Sequence, residues 1–164
     1  ETLGTDAGID RVLNKLESIK DSLVWFKSSS QSIQLLADGE VSLSYTYNGR
    51  VHKANEKEKR NFKMIWSGQT YSMNTAFVPK GGNVKEAKAL LKYALKKDVL
   101  ARYSSWLGYG PTRKSAVELV DAKVQPILPN YPANLKTALL RSEDFWADNK
   151  DHIDEKFTVW LAKQ

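Results

Sequence analysis

Apolar residues return every three or four positions near the start of the chain. Ile9, Val12, Leu13, Leu16 and Ile19 share one helical face, while Lys15, Glu17, Ser18 and Lys20 occupy the other. Val24, Trp25 and Phe26 then read as a short buried strand. The serine cluster that follows suits the cap of a short helix carrying Ile33, Leu35 and Leu36, with Gly39 where a helix C-terminus favours glycine. Next, Val41, Leu43, Tyr45 and Tyr47 alternate with Ser42, Ser44 and Thr46, the period of a strand with one buried face. Asn48-Gly49 ends that run as a turn or a helix start. A mixed-charge helix is expected around His52 to Lys63. Two more strands are expected at Phe62 to Trp66 and Thr70 to Val78, separated by a Ser67-Gly68 turn.

The texture changes after Pro79 and Gly81-Gly82. Asn83 followed by Glu86 has the spacing of a capping box. Val84, Ala87, Leu90, Leu91 and Ala94 form the apolar face of the helix it starts. A second helix is expected from Asp98 to Trp106, stopping at Gly108-Tyr109-Gly110-Pro111, and a short one from Ser115 to Val120. After a stretch carrying Pro126, Pro129 and Pro132, helices are expected at Asn134 to Leu140 and Asp151 to Ala162. Helices alternate with strands up to Val78, and helices stand alone afterwards. The alternation predicts an α/β fold with a partly parallel sheet. The helical tail must pack on strands supplied elsewhere.

Length and composition add limits. At 164 residues the chain suits one domain or two small lobes. Its 41% hydrophobic and 27% charged residues are an ordinary globular balance. The net charge of +6 leaves open a stand-alone basic domain that binds a polyanion such as RNA. The densest charged stretch, HKANEKEKRNFK, alternates signs, as a solvated helix face does. Cysteine is absent, which rules out disulfides and thiolate chemistry. The opening ETLGTDAGID has neither a basic start nor an apolar segment, so an exported protein would carry its signal upstream of Glu1.

Catalytic signatures are missing: no nucleophile elbow, phosphate loop or paired histidine ligands. His52 and His152 sit in charged segments and are expected on exposed helix faces. The acidic residues between Glu143 and Glu155 lack the spacing of a calcium loop, and acidic residues at a helix start answer its dipole without a metal. Neither a metal nor a cofactor is expected. Tyr47, Tyr71, Asn74, Trp106 and Tyr109 stand at strand or loop ends, where aromatic walls and amides suit a small polar solute. The alternative is that these aromatics fill a core or cover a sheet edge.

Four phrases, in order, resemble the extracellular solute-binding family typified by spermidine/putrescine-binding proteins of ABC importers. ADGEVSLSYTYNGR resembles that family's helix end, strand and aromatic-Asn-Gly helix start. TYSMNTAFVPKGGNVKEAKALLKYAL is similar to its hinge strand and following helix. LGYGPTRKSAVELV resembles its Gly-Tyr-x-Pro turn, and FWADNKDHIDEKFTVWL its terminal helix. The resemblance implies a type II periplasmic-binding-protein fold, of which this chain is the C-terminal portion. Residues 1–72 would belong to the second lobe. Residues 73–164 would hold a hinge strand and helices returning to the first lobe.

The same resemblance implies no enzyme activity, a periplasmic or extracellular location, and delivery of a small solute to ABC permease subunits. The missing first half could come as a separate chain, and an incomplete sheet could self-associate. Ligand positions carry over to Tyr47, Ser72, Asn74 and Tyr109, with Arg50, Tyr71 and Trp106 as further candidates. Ser72 and Asn74 stand where polyamine binders have a Trp and an Asp. A serine gives no aromatic wall and an amide gives no ion pair, which leaves a zwitterionic or amino-acid-like solute open beside a polyamine.

Overall fold

A computed structural model describes residues 3–163; Glu1 and Gln164, the outer ends of the two expected segments, lie outside them. Its helices are α1 (Asp6–Glu17), α2 (Ser29–Ala37), α3 (Asn48–Glu58), α4 (Val84–Ala94), α5 (Lys97–Leu107), α6 (Lys114–Val117), α7 (Pro132–Leu135) and α8 (Glu143–Leu161). Two short strands, β1 (Thr70–Tyr71) and β2 (Leu139–Leu140), pair in parallel, Thr70 opposite Leu139 and Tyr71 opposite Leu140. Two compact units emerge, Glu1–Trp25 with Arg141–Gln164, and Phe26–Leu140.

In the first unit, Thr5 caps α1 by accepting from the Gly8 N–H, and Ser142 caps α8 by accepting from the Phe145 N–H. The expected strand at Val24 to Phe26 does not form. The Trp25 ring instead meets Phe157 and Trp160 of α8 edge-on, at centroid distances of 5.4 and 6.0 Å. Trp160 Nε1 donates to Glu17 Oε2 on α1 at 2.9 Å. Helix α8 begins at Glu143, eight residues before the expected Asp151.

A polar clasp also joins α1 to α8. His152 Nε2 lies 2.7 Å from Asp6 Oδ1, and Lys156 Nζ lies 3.3 Å from Asp6 and 2.7 Å from Asp10. The hydrogen bonds from His152 and then Lys156 hold the Asp6 carboxyl below its usual 3.8. Asp10, with Asp6 behind it, holds Lys156 above 10.5. A carboxylate with a lowered pKa adds stability above its unfolded value and loses it as pH falls through the folded one. A lysine with a raised pKa adds stability below 10.5 and loses it as pH rises through its folded value. Asp6 is exposed, so the effect is small. Asp6→Asn is expected to melt slightly below wild type at pH 7 and to coincide with it in strong acid. Thermal melts across pH check both.

The second unit holds the buried core. Ala101 of α5, Val120, Val124 and Leu128 are 0–8% exposed, and Ile127 and Tyr131 pack on them. Ser28 caps α2 through the Gln31 N–H, and Asn83 caps α4 through the Glu86 N–H, as the sequence indicates. The strands are where expectation and structure part. Val41 to Tyr47 and Phe62 to Trp66 form no ladder among the described residues, and of Thr70 to Val78 only Thr70–Tyr71 pairs. Leu43, Tyr45, Ile65 and Phe77 are 70–85% exposed. A strand needs a neighbour, and these runs have none beyond the β1–β2 pair. The helix expected at Asn134 to Leu140 is also cut short. Helix α7 ends at Leu135, and the Leu139 N–H bonds the Gln69 carbonyl, which draws Leu139–Leu140 into the parallel pair.

Candidate functional site

Tyr47 ends the extended run and sits at the N-cap of α3, 62% exposed. It offers no side-chain cap; its carbonyl receives the Arg50 N–H at 2.9 Å. Asn48 turns its side chain away from the helix end. Its Nδ2 donates to the Gly108 carbonyl at 2.6 Å and more weakly to the Ile127 carbonyl at 3.4 Å. This ties the first turn of α3 to the turn that follows α5, where Gly108 adopts φ +73°. Gly49 allows closer contact still. A Cβ built there would lie 2.7 Å from Tyr109 Cζ and 2.8 Å from the Leu107 carbonyl oxygen, so the Tyr109 ring rests directly on the helix backbone.

The structure thus sets Tyr109 against Gly49, in the first turn of α3 that Tyr47 and Arg50 flank. Arg50 is half-buried, in the first turn of α3. The surroundings are electropositive, since an α-helix N-terminus carries unpaired N–H groups and the positive end of its dipole. Two aromatic rings, a guanidinium and that helix end can recognise a small anion with an apolar body.

The other candidates are placed differently. Tyr71 pairs through β1 with Leu140 and is half-buried. The Tyr45 hydroxyl meets the Thr70 hydroxyl, which sets the end of the 41–47 run beside β1. Ser72 and Asn74 follow, exposed and outside any helix or strand, and no hydrogen bond joins them to Tyr47 or Tyr109 among the described residues. Trp106 is 67% exposed and lines a broad hollow of about 760 Å³ with Asp98, Arg102, Ser105 and Asp121. That hollow includes none of the Tyr47 group.

Asn48, Gly49 and Gly108 were not among the expected site residues, yet they position it. The available signal was a glycine in the first turn of a helix, where a residue with a Cβ is normally preferred. The expected exposure of His52 is also corrected. It is 7% exposed, because a Cβ at Gly108 would lie only 3.0 Å from its Cβ and Cγ: the imidazole packs on that glycine. Among the described residues, no group of three or more His, Asp or Glu could hold a metal ion, and no helix is long and apolar enough to cross a membrane.

Comparison with known proteins gives a consistent result. Residues 1–134 match the family model for bacterial extracellular solute-binding proteins. The gamma-aminobutyric acid-binding protein of Pseudomonas aeruginosa is 32% identical over 164 residues, which is 99% of this chain and 46% of that protein. The structure of the Atu4243 GABA receptor superposes with a TM-score of 0.75 at 27% identity, covering 97% of this chain and 49% of its own. AgtB of A. tumefaciens R10, solved in complex with agropinic acid, gives 0.75 at 28% identity over 94% of this chain and 49% of its own. An ABC transporter substrate-binding protein of Bradyrhizobium japonicum gives 0.77 at 27% identity over 93% and 49%. The chain spans about half the length of the relatives it matches. Its fold is accordingly part of a type II periplasmic-binding-protein fold.

Proposed function

The chain belongs to the bacterial extracellular solute-binding proteins, and from that premise we propose that it forms part of an ABC-importer receptor for a small solute carrying both an ammonium and a carboxylate. The observation that carries this reading is the α3 N-terminal turn, with Arg50, packed by Gly49 against Tyr109. The helix end and Arg50 suit a carboxylate. The rings of Tyr47 and Tyr109 suit a short alkyl chain or an ammonium.

The departures at Ser72 and Asn74 favour the same class. A polyamine offers only cations, and it finds no carboxylate at either position. Relatives named for gamma-aminobutyric acid and agropinic acid support an acid-bearing solute over spermidine or putrescine. None of the relatives named above points to a polyanion.

In this reading residues 1–72 are second-lobe material, and residues 73–164 carry the hinge and return to the first lobe. Solute would favour a closed arrangement through contacts made only when closed, and the closed form would engage the permease outside the cytoplasmic membrane, without chemical conversion. A separate chain supplying the other half would cover the exposed runs at Leu43, Tyr45 and Phe77; self-association is the alternative fate of those runs.

Titration with 4-aminobutyrate, followed by backbone amide NMR, tests the proposal. Weak, saturable shifts are expected at Tyr47, Gly49, Arg50 and Tyr109, with Arg50→Gln weakening them about tenfold. Spermidine is expected to leave these amides unmoved. A stronger response to spermidine than to 4-aminobutyrate would overturn the assignment.

A further inference from the structure

We propose that a hollow beside the middle of α3 is a second small-molecule site, which takes an organic monocarboxylate with an apolar body. It lies within the second unit and its lining includes neither Tyr47 nor Tyr109. Its volume is about 480 Å³, in the range of small-ligand sites.

One wall is built from Phe62, Met64 and Trp66, which alternate along the extended run. Asn55 fixes that wall to α3. Its Nδ2 donates to the Phe62 carbonyl and its Oδ1 accepts from the Phe62 N–H, both at 2.9 Å. Val124 and Ile127 complete the apolar lining.

The second observation is His52. It lines this hollow and is only 7% exposed, yet neither ring nitrogen has a hydrogen-bond partner among the described residues. The one fully sealed side-chain nitrogen or oxygen without a partner in the described residues is Asn130 Oδ1. The imidazole nitrogens are therefore not sealed in the core, and His52 lines the hollow. An acceptor entering the hollow would satisfy the imidazole N–H.

Charge selects the acceptor. Lys63 and Lys123 line the same hollow against a single carboxylate, Glu56. Two ammonium groups and an imidazole donor favour an anion, and the aromatic wall favours an apolar body behind it. A solute with a second cationic group gains nothing from that wall.

Phenylacetate is the probe, titrated into the 164-residue chain and followed through the His52 ring nitrogens by NMR and through tryptophan fluorescence. A saturable shift is expected at the His52 ring and at the amides of 62–66. Phenylacetamide, of the same shape without the charge, is expected to bind at least about tenfold more weakly. Lys63→Gln combined with Lys123→Gln should weaken phenylacetate to a similar degree. Both lysines are exposed, so the fold tolerates the change. Lys85→Gln on α4, outside the hollow, should have no effect. No saturable shift at His52, equal binding of phenylacetamide, or indifference to the double lysine variant would each overturn the site. The 4-aminobutyrate response at Tyr47 to Arg50 is read from different resonances, so the two proposals fail separately.

Discussion

Truncating Leu128 to alanine is expected to remove about 3 kcal/mol of folding stability and to lower the melting midpoint by roughly 10 °C. Leu128 is 0% exposed and sits among Ala101, Val120 and Val124. Its backbone cannot follow a shrinking side chain. The Leu128 N–H donates to the Gln125 carbonyl at 3.1 Å, and its own carbonyl accepts from Asn134 Nδ2 at 2.8 Å and from the Tyr131 N–H at 3.1 Å. Pro126 and Pro129 stiffen the chain on both sides. A void that cannot collapse adds a cavity cost to the transfer free energy lost with the side chain. Leu119→Ala, on a side chain 51% exposed, should cost well under about 1 kcal/mol. Urea unfolding of the two variants checks the contrast, with an unchanged denaturant slope expected for each.

Gly49→Val should damage stability and the candidate site together. In an ordinary helix, replacing glycine with a larger residue gains a few tenths to about 1 kcal/mol of propensity. Here the new Cβ would fall 2.7 Å from Tyr109 Cζ and 2.8 Å from the Leu107 carbonyl oxygen. The ring can swing away, but the carbonyl is backbone and cannot. Overpacking of this kind costs about 1–3 kcal/mol, which outweighs the propensity gain. The first turn of α3 must then lift from Tyr109, so the 4-aminobutyrate shifts at Tyr109 and Arg50 should fall away together. A variant that melts higher than wild type would show that propensity wins and that the packing argument is wrong.

Features set by neighbours in sequence were legible. The caps at Ser28 and Asn83 and the positive φ at Gly39 each follow from a few adjacent residues. The start of α3 at Asn48-Gly49 was visible for the same reason. What depended on distant partners was not. The alternation from Val41 to Tyr47 predicts a strand, but a ladder requires another strand beside it, and alternation cannot say whether one is there. Leu139–Leu140 read as helix because the partner that makes them a strand lies about seventy residues earlier, at Thr70–Tyr71. His52 looked exposed because Lys53, Glu56 and Glu58 surround it in sequence, whereas Gly108 covers it in space.

The candidate site divides along the same line. Tyr47 and Tyr109 stand out in sequence as turn aromatics, whereas the packing of Tyr109 on the start of α3 depends on Gly49 and on the Asn48–Gly108 hydrogen bond, a contact across sixty residues. Ser72, Asn74 and Trp106 enter by resemblance or by chain position; Ser72 and Asn74 are exposed, and the hollow that Trp106 lines includes neither tyrosine. Family resemblance identifies the class of protein, and the residue types at positions 72 and 74 are what lead the proposed solute away from a polyamine.

Native mass spectrometry of the protein purified gently from its own cells tests the central claim most directly. The account predicts a retained small molecule, displaced by added solute, whose elemental composition includes both an amine nitrogen and a carboxyl group. Retention of RNA instead, released steeply as salt rises, would contradict it and would make the chain a polyanion binder.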